Sequence, residues 1–267
     1  MKKQIFLILL IVSTVLTKRI KEPLKQRLYG RNRIESRIVG GSAAADGEFP
    51  YQISLQDQRN NHMCGGAILN SLWIATAAHC VDGYETGNGA SKLKVISGTN
   101  QYSNPGNSTS IKQIFIHCNY NNPEFANDIA LLLLNSPLEF NDKTASIALP
   151  DEPLQPGDQL ILSGWGTTEL YGDPPEDLQK LTVNYVPHEE CKEAMSGDEG
   201  VGVCHICTMT TEGEGACHGD SGGPLVHNGK LYGLVNWGVP CANGFPDMQA
   251  SVYYYMDWVR TTISGGC

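Results

Sequence analysis

Beyond its first residues the chain has no apolar run of the ~20 residues that a membrane-crossing helix requires. It is also short of positive charge over most of its length. After Arg37 there are only nine Lys and Arg against 26 Asp and Glu, a balance of about −17. Such a surface repels nucleic acid and anionic membranes, which argues against both as partners. No internal repeat and no long linker interrupts the 267 residues, a length suited to one large domain or two small lobes. The nine cysteines are scattered instead of gathered into a four-ligand zinc cluster.

What is present begins at the N-terminus. "MKKQIFLILLIVSTVLT" has two lysines followed by an apolar run from Ile5 to Leu16. That run is too short to span a bilayer and has the form of a secretory signal, so residues 1–17 are expected to be removed and the protein secreted. The cysteine content agrees with an oxidising compartment, although an odd number leaves at least one thiol free or paired outside the chain. Residues 18–37 hold eight basic residues, Arg37 the last of them, against Glu22 and Glu35. This segment reads as a removable leader rich in cleavable bonds. Asn107-Ser108-Thr109 is a glycosylation sequon in a polar loop.

From Ile38 onward the pattern is all-β. "KLKVISGT", "SIKQIFIH", "IALLLL", "QLILSGWG", "KLTVNYV" and "KLYGLVNW" are short runs of β-branched and apolar residues separated by Gly, Pro, Asn and Asp. They predict barrels or sandwiches. The period changes at the end, where Met256, Val259 and Ile263 are spaced by three and four and predict a closing helix.

"ACHGDSGGPLV" crowds three glycines, an aspartate and a histidine around Ser221, next to Cys217. A serine nucleophile needs a base, and the base needs an orienting carboxylate. The candidate base is His79 in "WIATAAHC". The candidate orienter is Asp128, which directly precedes the apolar run "IALLLL". Singly, each has an ordinary structural reading: a histidine packed near a disulfide, a strand-capping aspartate, a serine in a turn. "RIVGG", "TAAHC", "DIALL" and "GDSGGPLV", in that order, are far more specific.

These four motifs resemble the trypsin- and chymotrypsin-like serine proteases over residues 38–267, and the "GEGACHGDSGGPLV" form looks most like insect chymotrypsin-like digestive or venom enzymes. The resemblance implies two six-stranded antiparallel β-barrels with a C-terminal helix, and a catalytic triad of His79, Asp128 and Ser221. The N–H groups of Gly219 and Ser221 would form the oxyanion hole. Cleavage of Arg37–Ile38 would free an isoleucine amine to pair with Asp220, making residues 18–37 an activation peptide. Family pairing would join Cys64 to Cys80, Cys191 to Cys207 and Cys217 to Cys241. It leaves Cys118, Cys204 and Cys267 open, a Cys118–Cys267 bridge being one arrangement. The resemblance further implies a monomer without cofactor that acts on protein or peptide substrates, is activated by a trypsin-like protease and meets protein inhibitors.

The resemblance has departures. The stretch corresponding to the calcium loop of mammalian trypsins, "GTNQYSNPGNSTS", has no Asp or Glu, so no calcium or other metal is expected. Asn236 stands where the family has serine beside the triad aspartate; its amide could still donate to Asp128, but it is bulkier than the serine it replaces. The aligned pocket base is Gly215 with Ala216 beside it, where trypsins carry aspartate. Trp237 and Gly238 form the wall, and His218 is expected at the mouth. This leaves a deep apolar slot suited to Phe, Tyr, Leu or Met. Asp247 enters from the side, where glycine is common. It is read either as a satisfied internal carboxylate, hydrogen-bonded to Gln249 on the same strand face, or as a displaced charge that admits basic side chains. The first reading is preferred, which predicts chymotrypsin-like cleavage. A protease-like binding protein without catalysis and a cascade-processing protease are the competing functions.

Overall fold

Thirteen strands and two α-helices are present among the residues described in this computed structural model, 38–104, 106–168, 172–239 and 241–266. The expected signal and leader segments, Arg37 and Cys267 lie outside them. Six strands form the first barrel: β2 (Gln52–Asp57), β3 (His62–Asn70), β4 (Trp73–Thr76), β5 (Leu93–Ser97), β6 (Asn107–Ile116) and β7 (Ala130–Leu134). They close in the order β2-β3-β4-β7-β6-β5, every pair antiparallel. Closure leaves no sheet edge exposed. The inward positions of each strand supply one core, including Ile53, Leu55, Ile68, Ile74, Val95, Ile111, Leu132 and Leu134.

The second barrel comprises β8 (Gln159–Gly164), β9 (Gln179–Val186), β10 (His205–Met209), β11 (Pro224–His227), β12 (Lys230–Gly238) and β13 (Asp247–Ser251). It runs β9-β10-β13-β12-β11-β8 and closes through the β8–β9 pairing, with the two-residue β1 (Ser42–Ala43) added outside on β9. Leu160, Leu162, Val183, Ile206, Leu225 and Val235 fill it, and Ile38 joins them with no exposed surface. A third cluster welds the barrels together. Ala67, Trp73, Ala75 and Leu131 of the first pack with Leu234, Ala250, Val252, Tyr255 and Val259 of the second.

The closing helix, α2 (Met256–Ile263), lies where its spacing predicts and buries Val259 and Thr262. A first helix, α1 (His188–Ala194), has no sequence expectation behind it, because seven residues are too few to show a period. Its signals are Pro187 before the first turn, Glu189 and Glu190 within it, and Lys192 in the last. Asn107 is exposed, but it opens strand β6 and is not in a loop. No helix among the described residues is long and apolar enough to cross a membrane.

Candidate active site

His79 sits in the 3-10 turn Ala78–Cys80 that follows β4, and Asp128 lies just ahead of β7, the neighbour of β4 in the barrel. The adjacent strand ends bring the two together. Asp128 is 2 % exposed and uses both oxygens on one residue. Oδ1 accepts the His79 backbone N–H at 2.8 Å, and Oδ2 takes the Nδ1–H at 2.6 Å. With the Nδ1 proton committed to the carboxylate, Nε2 is left as the acceptor. Burial alone would lower the His79 pKa, but the Asp128 hydrogen bond and charge outweigh it and raise the value. The Cys64–Cys80 disulfide ties this turn to β3.

Ser221 comes from the second barrel, on the loop before β11. Backbone bonds fix the loop: Gly223 N–H to Asp220 O, Gly222 N–H to Val235 O, and Gly65 N–H on β3 to Ser221 O, each 2.8 Å. The last bond crosses between barrels. The glycines allow that approach, since a Cβ on Gly222 would overlap Thr76 Oγ1 and one on Gly65 would lie 2.8 Å from Gly223 Cα. No hydrogen bond joins Ser221 Oγ to His79 here, a contact that commonly tightens only when substrate binds.

Gly219 has φ +99°, a conformation open to glycine and costly for other residues. Its carbonyl accepts the Nε2–H of His62 at 2.9 Å. His62 Nδ1 meets Ser54 Oγ at 2.7 Å, and Ser54 Oγ accepts from Gln56 Nε2 at 3.1 Å. The Gln56 amide nitrogen can only donate and the Gly219 carbonyl can only accept, so the Ser54 proton goes to His62 Nδ1 and the His62 proton to Gly219. This relay escapes sequence reasoning. His62 and Gly219 are 157 residues apart, and only the "HMC" spacing to Cys64 hints at a role.

Asp220 has no exposed surface and, among the described residues, two donors, the N–H groups of Gly166 (2.8 Å) and Cys217 (3.0 Å). Burial outweighs them and lifts its pKa to about 6. Ile38 is buried in the same barrel, and Val39 bridges to Gly215.

A cleft beside Ser221 is lined by Ala216, Asn236, Trp237, Gly238 and Asp247, with exposed His218 at one side and the Cys217–Cys241 disulfide along it. Gly215 is not part of this lining. The Asp247 carboxylate covers it and spans to Gly238, Oδ2 lying 2.7 Å from where a Gly215 Cβ would stand. Asp247 accepts the Ala216 N–H at 2.8 Å. Its expected partner Gln249 instead donates to Thr208 Oγ1 on the facing strand β10 at 3.0 Å. Burial raises the Asp247 pKa to about 7, and nearby Asp220 adds to the rise.

Asn236 also departs from expectation. Its amide donates to the Phe125 carbonyl at 3.0 Å and not to Asp128.

The three expected disulfides are formed, Cys191–Cys207 being the third. Cys118 is an exposed free thiol and Cys204 a buried one. Cys204 and Cys207 have CxxC spacing, but Cys207 is committed to Cys191. The nearest approach to a metal-ligand cluster among the described residues is Cys64, His79 and Cys80, whose sulfurs are already bonded to each other.

Residues 38–259 match the family model described as Trypsin. Among curated proteins, the chain is 40 % identical to Trypsin-1 of Astacus astacus over 237 residues, 84 % of this chain and 98 % of that one. It is 37 % identical to Trypsin 5G1 of Aedes aegypti over 235 residues, 85 % of each chain. It is 35 % identical to Chymotrypsin-2 of Vespa crabro over 224 residues, 84 % of this chain and 98 % of that one. Proteins named trypsin and chymotrypsin are thus similar to it at comparable levels, which leaves the subtype to the pocket.

Proposed function

The chain belongs to the trypsin family of serine proteases, and on that premise we propose that it is a secreted endopeptidase, made as a zymogen, that cleaves after large apolar residues. The observation that carries the catalytic part is the Asp128 carboxylate engaged at both oxygens by His79, with the Ser221 loop hydrogen-bonded to the same barrel at Gly65. In this reading His79 Nε2 takes the Ser221 proton as the hydroxyl attacks the substrate carbonyl. Asp128 stabilises the imidazolium that forms. The Gly219 and Ser221 N–H groups receive the developing oxyanion, each donor lowering the barrier by about 3 kcal/mol. His79 returns the proton to the leaving amine, and water then hydrolyses the acyl-enzyme by the same route.

Zymogen control is supported by Asp220, a fully buried carboxylate with no cation beside it among the described residues. Such a group is costly until a charge arrives. Ile38 lies buried in the same barrel, so an amine freed at Arg37–Ile38 is the natural partner.

Apolar specificity is supported by Ala216 in the cleft lining and by Asp247, which is capped by a backbone N–H and whose burial raises its pKa to about 7. A second reading, in which Asp247 admits Arg or Lys, is favoured by the position of that carboxylate in the cleft.

The test is a serine-directed organophosphate on protein cut at Arg37, followed by kcat/KM for matched Phe, Leu and Arg substrates. Stoichiometric labelling of Ser221 with Phe or Leu leading is expected. No labelling would favour a binding protein without catalysis, and an Arg lead that Asp247→Gly abolishes would establish the second reading.

A further inference from the structure

The loop that delivers Asp128 is held in an unfavourable shape. Phe125 (φ 64°) and Asn127 (φ 59°) both lie in the left-handed region, which is an outlier for a bulky residue such as phenylalanine. Strained backbone of this kind persists only where its surroundings over-determine it. Asn127 is pinned by Tyr255, whose hydroxyl accepts the Asn127 N–H at 3.0 Å and donates to its Oδ1 at 3.1 Å. Phe125 is pinned twice. Its ring stacks on Trp237, centroids 4.7 Å apart. Its carbonyl receives two donors from the second barrel, Asn236 Nδ2 and His205 Nε2, each at 3.0 Å.

His205 is buried on β10, and its tautomer is fixed by its other nitrogen. Nδ1 accepts the Gly202 N–H at 3.1 Å, so Nε2 carries the proton and donates. His205 Nε2 and Asn236 Nδ2 lie 3.3 Å apart, two donors side by side on one oxygen. The imidazole also packs edge-on against Trp237.

We propose that His205 is a positioning residue for catalysis. Jointly with Asn236 it clamps the Phe125 carbonyl from the second barrel, and so holds Asp128 in the place from which it orients His79. The inference rests on the serine-protease reading above. It assigns a role to a histidine that touches neither the nucleophile nor its base. It also accounts for Asn236, which is turned away from Asp128 because its amide serves the same carbonyl.

Two donors on one acceptor predict redundancy followed by collapse. In cut protein, with kcat normalised to organophosphate-titrated sites, His205→Leu is expected to lower kcat about fivefold to tenfold, the order of one lost buried hydrogen bond. KM should change little. The acid limb of the kcat profile should move to lower pH, because a displaced Asp128 raises the His79 pKa less. His205→Gln, which keeps an N–H donor, should restore most of the rate. His205→Leu combined with Asn236→Ala should lose more than the product of the single losses. If His205→Leu keeps the wild-type kcat and acid limb per titrated site, the proposal is overturned, whatever happens to Tm. It is equally overturned if the loss is not relieved by glutamine, since the role would then be packing. Failure of the wild-type protein to titrate would sink the protease reading instead, and is distinguishable from both.

Discussion

The two barrels carry their buried carboxylates in opposite conditions. In the first, Asp128 is complete: His79 engages both oxygens within residues of one barrel. In the second, the donors to Asp220 and Asp247 among the described residues are backbone N–H groups alone, and burial lifts the two carboxyls to about 6 and about 7. The first-barrel half of the site is assembled by folding alone. Among the described residues no cation stands beside Asp220 or Asp247 in the second-barrel half. On the proposed reading this difference locates control: the base is set by folding, while the nucleophile loop and the pocket respond to what arrives.

The largest effects are expected from the residues proposed to carry the reaction, one from the second barrel and two from the first. Ser221→Ala should cut turnover by about 10⁶ and His79→Ala by a similar factor, because the triad acts as a unit. Asp128→Asn should cost about 10⁴ by leaving His79 in the wrong tautomer. Thermal unfolding of Ser221→Ala should match wild type, since a hydroxyl is removed and no packing is lost. A Tm that falls in step with activity would show the change to be structural.

Next in size is the charge missing at Asp220. An Arg37→Gln precursor, verified as uncut by N-terminal sequencing, should be nearly inactive. In cut protein Asp220→Asn should lose about 10²–10³ in kcat/KM, the order of one broken buried pair. The sign with pH follows from the amine. Its ordinary pKa is about 7.7–8. Pairing raises the folded value, so the stabilisation is full below the ordinary pKa and fades as pH rises through the folded one. A basic limb of activity that persists unchanged in Asp220→Asn would break this link.

Much of both barrels was legible in the sequence. "TAAHC" and "DIALL" pointed to His79 and Asp128, and the apolar runs anticipated β5 to β9 and β12. The neighbours that act across the chain were not. His62 depends on β3 passing beside a loop 157 residues away, and His205 on the second barrel facing a loop of the first. The Asp247 partner was misread for a related reason. Strand alternation put Gln249 on the same face, but Thr208 on β10 engages its amide, and the Ala216 N–H reaches Asp247 from outside the strand. Periodicity describes a strand, whereas these partners come from other elements.

His62 sharpens the comparison at smaller scale, because a first-barrel side chain there completes a second-barrel loop. His62→Leu removes the donor to the Gly219 carbonyl. Leaving that acceptor unpaired should lower kcat roughly tenfold to a hundredfold, with KM less affected. Equal losses in ester and amide hydrolysis, measured by single-turnover acylation, would fit a displaced oxyanion donor. Wild-type kcat would show that Gly219 needs no such support.

The smallest effect, and the one that tests whether the second cleft is open to charge, is the selectivity of the pocket across neutral pH. Burial raises Asp247 to about 7, and Asp220 is the charged neighbour that adds to the rise. At pH 6 the carboxyl is mostly neutral and the slot is apolar. At pH 8 it is mostly ionised, which penalises an apolar side chain and favours a basic one. The ionised fraction grows about tenfold between those values, so the kcat/KM ratio of Arg to Phe substrates should rise by about that factor while Phe stays ahead. The same titration has a stability signature of fixed sign. A carboxyl whose folded pKa is raised binds more protons folded than unfolded, so its contribution to stability is lost as pH rises from about 4 through 7. Asp247→Asn should remove both the pH dependence of the ratio and this slope. The amide keeps the size of the carboxyl and an oxygen for the Ala216 N–H, so a change in pocket volume is not the cause. A ratio that stays flat in wild type from pH 6 to 8 would mean that the carboxylate never meets the substrate, and the cleft would be apolar at every pH.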